Sequence, residues 1–297
     1  MTQKKQRGRS PSLASTFVAK AFETARLHGI DTLIVQADDH HDIRAIQKAR
    51  DAERILWLTT ASDHPLSGLD EGLVLPLPAV ALKTNSQLQL ALLLAVLHKQ
   101  VGLEETVLCL GARGPGRRID TLIAASPQAD LPWFGSKRRA AESLSAVVSH
   151  ELARLIAIAL RLSAEGREGR PIGTAFVLGC DDELAPYVRQ LVLNPCKGHP
   201  QKSRSIHEDD FFETIREFAA LDGAFIVNRA GIVEAAGVYL ETPRKNIRLP
   251  QGLGARHSAA VGVTAATDAV AVVVSESSGT VTTFHGGRPV LTLEKPS

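Results

Sequence analysis

Cysteine and aromatic residues are both scarce in this 297-residue chain. The three cysteines, Cys109, Cys180 and Cys196, form no CxxC pair and cannot make an even disulfide framework. They are typical of small buried thiols in a reducing cytoplasm. Aromatic residues make up 4% of the chain, which argues against a surface that stacks single-stranded bases.

An excess of charge of either sign is also lacking. Lys and Arg number 34 against 32 Asp and Glu, so the formal net charge is +2, far from the strongly basic balance of proteins that bind the phosphate backbone of nucleic acids. The longest strictly apolar run, residues 90–97, is well below the roughly 20 residues that span a bilayer. We therefore expect a cytoplasmic protein with neither a membrane nor a nucleic-acid partner.

The N-terminus is basic, with the sequence MTQKKQRGRSPS over residues 1–12. No apolar segment of the kind found in secretory signals follows it. We interpret it as a solvated tail, and a nucleic-acid-binding arm is the alternative.

The length and the apolar content indicate two globular domains. At roughly 150 residues per domain, 297 residues correspond to two. Hydrophobic residues make up 44% of the chain, and a chain of this size buries enough surface to need no disulfide or metal for folding.

The first half alternates between helix-like and strand-like segments. Strands that are apolar on both faces and separated by helices predict a small parallel-sheet α/β domain, which we place at residues 12–138. The helical patterns cover 13–28, 42–50 and 86–101, and the strand patterns cover 31–37, 54–60, 72–78, 106–112 and 120–126.

The second half, residues 140–297, is richer in strands and predicts a mixed sheet flanked by helices. We expect the domain boundary between about 130 and 145. A long amphipathic helix is predicted over 140–163, a short one over 184–192 and another over 209–220, and strands are predicted over 173–179, 223–231, 233–240, 268–275 and 280–287. Residues 249–260 are interpreted as the end of a loop.

Two motifs of the first half suggest a site but favour a simpler interpretation. Asp38 to Asp42 contains acids and histidines, yet its place between a strand and a helix is typical of helix caps rather than of a metal site. Gly111 to Arg118 is rich in glycine after a strand, but it lacks the Lys-Ser/Thr ending of a phosphate loop. We predict an ordinary loop there.

Three clusters in the second half are stronger candidates. Asp222 precedes Gly223 at the start of a strand, where the glycine lets a ligand approach the backbone. Arg256 follows a glycine-containing loop, and a guanidinium with backbone donors suits an anion. Ser275 and Glu276 end a buried strand. Each alone is compatible with a polar turn, and together they indicate a ligand site.

The order of these clusters resembles the diadenylate cyclase domain. The relevant motifs are LDGAFIV (221–227), GARHSAA (254–260) and TDAVAVVVSESSG (267–279), which are similar to the family's DGA motif, its RHR motif and its strand ending in Ser-Glu. The resemblance covers roughly residues 145–290 and implies an α/β fold with a mixed central sheet. The preceding domain resembles the pyruvate kinase C-terminal-like domain of archaeal-type members, with a regulatory or assembly role.

The resemblance implies an ATP-dependent nucleotidyltransferase that makes cyclic di-AMP, with Mg²⁺ or Mn²⁺ as its cofactor. Asp222 would hold the metal ion and help to activate the 3′-hydroxyl, while Arg256 and His257 would bind phosphate oxygens. The other residues that the resemblance assigns to ATP binding are Gly223, Ala224, Gly237, Val238, Tyr239, Leu240, Gly254, Ala255, Ser258, Ser275 and Glu276. Because both halves of the reaction are the same, two sites must face each other across a two-fold axis, as a homodimer or within a larger homo-oligomer.

The sequence departs from the family pattern at two positions. Ala255 and Ser258 stand where the family usually has Thr and Arg. One explanation is a variation specific to one branch of the family. In that case Arg244, Lys245 or Arg248 would substitute for the missing cation. The alternative is a catalytically weak or inactive sensor that binds ATP or cyclic di-AMP. A further hypothesis is a small-molecule regulator bound at the carboxyl ends of the first domain's strands.

Overall fold

The structure is a computed structural model that describes residues 12–36, 40–51, 53–59, 74–76, 80–112, 118–131, 150–166, 171–179, 181–241 and 254–295. The chain divides into two compact units. One comprises residues 1–77 and 105–126, and the other comprises residues 78–104 and 127–297.

The first unit is an α/β layer built on a five-stranded sheet. Its elements are α1 (Leu13–His28), β1 (Thr32–Gln36), α2 (His40–Ala49), β2 (Arg54–Thr59), β3 (Val74–Pro76), β4 (Val107–Gly111) and β5 (Thr121–Ala125). The strand order is β3-β2-β1-β4-β5. Helix α1 ends as the sequence predicts, because Gly29 adopts a left-handed conformation with φ 63° after its last turn.

The predicted parallel sheet is correct for four strands and wrong for the fifth. Strands β3, β2, β1 and β4 run parallel to their neighbours, whereas β5 pairs with β4 in the antiparallel direction. The physical reason is the connection over residues 112–120, which is shorter than the dozen or so residues that a parallel crossover takes.

The second unit carries a larger mixed sheet. Its helices are α3 (Thr84–Leu97), α4 (Pro127–Asp130), α5 (His150–Glu165), α6 (Asp181–Leu184), α7 (Phe211–Phe218) and α8 (Ala255–Ala266). Its strands are β6 (Thr174–Leu178), β7 (Val188–Gln190), β8 (Ala224–Val227), β9 (Val233–Leu240), β10 (Val270–Val274), β11 (Val281–His285) and β12 (Arg288–Leu293).

The sheet of the second unit has the order β12-β11-β10-β6-β8-β9-β7. Only the β6–β8 pair is parallel among these strands, and every other described pair is antiparallel. Strands β6 and β10 are buried along their whole length, which is typical of central strands covered on both faces. The predicted mixed α/β fold is confirmed.

Two local expectations for this unit are wrong, and one strand was missed. Residues 255–266 form helix α8 rather than the end of a loop, because alanine-rich sequence favours a helix. Residues 184–192 are not one helix: they contain a 3₁₀ turn over Ala185–Tyr187 and then the edge strand β7. Strand β12 was not predicted, and it pairs with β11 after a tight turn at Gly286 and Gly287.

Residues 78–104, which the sequence pattern places with the first domain, group with the second unit. Helix α3 packs against β12 there. The Lys83 N–H donates to the Glu294 carbonyl at 2.9 Å, and the Ser86 hydroxyl accepts from the Glu294 N–H at 2.9 Å. The assignment of residues 12–138 and 140–297 to named domains stays a prediction.

Several predicted features lie partly or wholly outside the described residues. They are the N-terminal tail over 1–11, residues 38–39 of the 38–42 motif, residues 113–117 of the 111–118 motif, residues 140–149 of the long helix, and the cations Arg244, Lys245 and Arg248. Within the described ranges, no helix combines the length and the apolar character that crossing a membrane requires.

Candidate active site

Asp222 lies between helix α7 and strand β8, with its side chain projecting into solvent. The carboxylate is 91% exposed. Its Oδ1 accepts a hydrogen bond from the Gly223 N–H at 3.1 Å, which orients the group beside its own backbone. A carboxylate this exposed is fully available to a ligand or a cation.

Gly223 is a glycine for two reasons that the structure shows directly. Its φ is +112°, a conformation that side-chain-bearing residues rarely adopt. A Cβ at this position would lie 2.7 Å from both the backbone nitrogen and the carbonyl oxygen of Val238 on β9. The Asp-Gly pair therefore marks a close backbone approach between β8 and β9.

Arg256 connects the candidate carboxylates. It lies in the first turn of α8, and its Nη2 is 3.6 Å from the Asp222 Oδ1 while its Nη1 is 3.5 Å from the Glu276 Oε2. The Arg256 side chain is 30% exposed, and its buried Nε has no hydrogen-bond partner within the described chain. The site thus contains a cation held between two acids at a helix N-terminus, where anions are favoured.

His257 follows Arg256 and packs edge-on against Phe284. The two ring centroids are 5.8 Å apart at an interplanar angle of 80°. Burial lowers the pKa of the His257 imidazole below its ordinary value, because the charged form loses solvation. Burial therefore favours the neutral form of this imidazole, which carries one N–H donor.

The turn after β10 supplies a row of hydroxyls. Two backbone hydrogen bonds close this turn. The Ser275 N–H donates to the Thr280 carbonyl at 2.9 Å, and the Gly279 N–H donates to the Ser275 carbonyl at 2.9 Å. The Ser275 Oγ accepts from the Ser278 N–H at 3.3 Å. The Ser163 hydroxyl of α5 donates to the Gly279 carbonyl, which fixes the turn to the body of the unit.

Two cavities share Ala255 and Arg256 in their linings. The smaller, of about 120 Å³, is predominantly apolar. Its lining comprises Ala175, Leu191, Asp222, Gly223, Ala224, Val238, Tyr239, Leu240, Ala255, Arg256 and Ala259. The larger, of about 840 Å³, is more polar and is lined by Pro171, Gly254, Ala255, Arg256, His257, Val274, Ser275, Glu276, Ser277, Ser278 and Thr280. An apolar space beside a polar, cationic one is suited to a molecule with a flat base and an anionic chain.

Most of the predicted site residues line one of these cavities, and two do not. Gly237 lines neither cavity, and a Cβ added to it would lie 2.7 Å from the Val192 Cγ2. The Ser258 N–H donates to the Gly254 carbonyl at 3.0 Å within α8, and Ser258 lines neither cavity. The roles of the predicted residues stay predictions.

The sequence interpretation missed several lining residues. Leu191 is 40% exposed although it is a large apolar residue, and its N–H donates to the Gly237 carbonyl at 3.0 Å. No local pattern marks it, because a pairing between distant strands places it beside the cavity. Ser277 and Ser278 adjoin the predicted Ser-Glu pair, and their hydroxyls are a signal that the sequence does carry.

Comparisons with known proteins match the second half of the chain. Residues 161–289 match the family described as "DAC: DisA bacterial checkpoint controller nucleotide-binding". A diadenylate cyclase of Methanocaldococcus jannaschii is 39% identical over 149 residues, which are 50% of this chain and 47% of that protein. A diadenylate cyclase of Haloferax volcanii is 36% identical over 138 residues, 46% of this chain and 50% of that protein.

The chain therefore spans about half the length of these curated relatives. A solved structure of DacA from Staphylococcus aureus is 23% identical, and the match covers 48% of this chain and 86% of that chain with a TM-score of 0.35. The resemblance of the sequence motifs to the diadenylate cyclase domain is confirmed over residues 161–289. All the described residues of the two cavities lie within that segment.

Proposed function

We propose that this chain is a diadenylate cyclase, which condenses two ATP molecules into cyclic di-AMP with 3′,5′ linkages and releases two pyrophosphates. The observation that carries this proposal is the pair of cavities that share Arg256 in their linings, inside the segment that matches the family. The activity of similar proteins supports it, since both curated relatives are named diadenylate cyclase.

The two cavities suit the two ends of ATP. The adenine base fits the apolar cavity, where Tyr239 and Leu240 of β9 supply apolar surface and Gly223 leaves room at the backbone. The triphosphate fits the polar cavity, where Arg256 and the hydroxyls of the 275–280 turn are available as donors. The reacting α-phosphate then falls near Arg256, which lines both cavities.

Each half-reaction forms one bond and breaks one bond. The 3′-hydroxyl oxygen of one ATP attacks the α-phosphorus of the other and loses its proton, and the bond from that phosphorus to the bridging oxygen of pyrophosphate breaks. Such a transfer requires positioning and charge neutralisation more than covalent help from the protein. In this proposal Asp222 accepts a hydrogen bond from the attacking hydroxyl and orients it, and Arg256 neutralises the phosphates.

The donor set fits a magnesium or manganese ion. Asp222 and Glu276 offer exposed carboxylates, at 91% and 75% side-chain exposure, and hard divalent ions prefer such oxygen ligands. In the described part of the chain no group of three His, Cys, Asp or Glu is arranged to hold a metal ion, so the triphosphate would supply most of the ligands. When bound, the ion would neutralise negative charge that develops on the phosphates.

The reaction requires two chains. One site holds one ATP, and cyclic di-AMP contains two identical linkages, so the second ATP must be presented by a second copy across a two-fold axis. We therefore propose a homodimer, or a larger homo-oligomer built from such pairs, as the active species.

The test is product analysis by chromatography and mass spectrometry after incubation of the purified chain with ATP and Mg²⁺ or Mn²⁺. We expect cyclic di-AMP and pyrophosphate in a one-to-two ratio. Asp222→Asn should abolish the product without lowering the melting temperature, because the carboxylate is exposed. Asp182→Asn, a change at another exposed acid of the same unit, should retain activity. Absence of product with either ion across a range of pH would reject the proposal.

A sensor without turnover is the second candidate, and Ala255 favours it. This residue lines both cavities at a position where the resemblance expects a hydroxyl donor. A sensor would bind ATP or cyclic di-AMP in a calorimeter while forming no product. Repeated turnover of ATP would exclude it.

A further inference from the structure

Gly173 is a buried glycine whose backbone does not require glycine. It directly precedes strand β6. Its φ is not among the positive values of the described residues, so alanine could adopt the same backbone conformation without strain. The reason for a glycine at this position must therefore be space rather than torsion angle.

Two groups of the candidate active site occupy the space that a side chain at position 173 would need. A Cβ on Gly173 would lie 2.7 Å from the Glu276 Cβ and 3.2 Å from the Glu276 backbone nitrogen. It would also lie 3.2 Å from the Arg256 Nη1. The first distance is shorter than real carbon–carbon contacts allow, and the Glu276 Cβ moves only if the turn that carries it moves.

We propose that Gly173 is a positioning residue of the nucleotide site, which leaves the space in which the Glu276 turn and the Arg256 guanidinium meet. This inference rests on the proposed function, because it assigns a role in ATP binding to these two groups. Gly173 itself touches neither the attacking hydroxyl nor the α-phosphate. It acts by allowing the 3.5 Å approach of the Arg256 Nη1 to the Glu276 Oε2.

The other end of strand β6 offers a matched control. Gly179 directly follows the strand, is buried, and also has no positive φ. A Cβ there would lie 3.1 Å from both the Ala269 Cβ and the Leu184 Cδ1. An alanine at either glycine therefore crowds its neighbours, but only the alanine at 173 crowds charged groups of the site.

The experiment measures ATP affinity by calorimetry, kcat and KM by product formation, and melting temperature for the wild-type chain, Gly173→Ala and Gly179→Ala. We expect Gly173→Ala to weaken ATP binding and lower kcat/KM by about ten-fold or more, the effect of one misplaced charge-assisted contact. Gly179→Ala should lower the melting temperature without a comparable loss of affinity. Equal ATP affinities in the two variants would overturn the inference.

A compensating variant addresses the possibility that Gly173→Ala fails to fold. Glu276→Gly removes the Cβ with which the new methyl group collides. The double variant Gly173→Ala/Glu276→Gly should therefore fold, and adding Gly173→Ala to Glu276→Gly should weaken ATP binding less than adding it to the wild-type chain, because only the 3.2 Å contacts with the Arg256 Nη1 and the Glu276 nitrogen remain. An equal loss of affinity in both backgrounds would contradict a role exerted through the Glu276 side chain.

The two proposals fail in different ways. A chain that forms no cyclic di-AMP but binds ATP less tightly after Gly173→Ala would reject the cyclase and retain the positioning role. A chain that forms cyclic di-AMP at equal rates in both alanine variants would reject only the positioning role. A wild-type chain that does not bind ATP would reject both.

Discussion

Arg256 contributes to the lining of both cavities. Its guanidinium is the only cationic side chain that lines both of them among the described residues, and it lies within 3.6 Å of one carboxylate and 3.5 Å of another. These two acids flank the guanidinium. Under the proposed function a bound triphosphate would offer the guanidinium oxygens of higher charge, so the side chain would exchange the acids for the phosphates.

Truncation of Arg256 should therefore weaken ATP binding strongly. We expect Arg256→Ala to reduce the affinity by about 10- to 150-fold, which corresponds to roughly 1.5–3 kcal/mol for a charge-assisted contact. Arg256→Lys should restore only part of it, since an ammonium cannot contact two oxygens with the geometry of a guanidinium. Calorimetric titration with ATP measures both, with the exposed Arg229→Ala as control. An unchanged affinity in Arg256→Ala would remove this residue from the site.

His257 links the site to the pH dependence of folding. Burial lowers its pKa in the folded state, so the unfolded chain binds a proton more readily than the folded chain. The imidazole therefore contributes stability above its unfolded pKa of about 6.5, and this contribution is lost as the pH falls toward the folded value. We expect the melting temperature to decrease from pH 7.5 to pH 5.5, and to decrease less in His257→Gln. Identical pH profiles for the two proteins would contradict this assignment.

At the scale of elements, the approach of β8 to β9 shapes the apolar cavity. Gly223 allows this approach because a side chain there would collide with the backbone of Val238. Backbone atoms of a paired strand cannot move aside as a flexible side chain can. The DGA motif is therefore a structural requirement of this strand pair as well as the location of Asp222.

Gly223→Ala should consequently lower the free energy of unfolding by more than the backbone strain at this torsion angle alone would. We expect the free energy of unfolding to fall by roughly 2–4 kcal/mol, the combined effect of strain and overpacking. Gly198→Ala separates the two effects, because Gly198 has φ +87° but no atom within 4 Å of an added Cβ. Its cost should be about 1 kcal/mol. Chemical denaturation measures both variants, and equal costs would show that the collision with Val238 is unimportant.

The elements also show which features a sequence can predict. Strands β6 and β10 were predicted closely because a fully buried strand is a continuous apolar run. Helix α8 was missed because the glycine and the polar residues at its start indicate a loop, and only its alanines indicate a helix. The motifs predicted Asp222, Arg256 and Glu276, each of which lines one or both cavities. Leu191 and Gly173 come close to these residues through tertiary contacts that no local pattern encodes.

At the scale of the whole molecule, the proposed reaction requires a pair of chains that both carry an intact Asp222. A single site with one Asp222 can promote attack by one 3′-hydroxyl, whereas cyclic di-AMP needs two attacks. A pair that contains one Asp222→Asn chain would form at most one linkage. Such a pair would release a linear dinucleotide or remain idle, and it would not complete the ring.

Mixing wild-type and Asp222→Asn chains therefore tests whether formation of cyclic di-AMP requires Asp222 from both chains of a pair. If the chains exchange freely, the rate of cyclic di-AMP formation should follow the square of the wild-type fraction, so an equal mixture retains about a quarter of the activity. A chain that works alone would retain about half. The chains are denatured and refolded together so that the subunits redistribute between pairs. In the control, Asp182→Asn replaces Asp222→Asn, and the rate should not change with the wild-type fraction. A linear dependence on the wild-type fraction would exclude the two-fold active species, because it would mean that each wild-type chain completes both linkages without its partner's carboxylate.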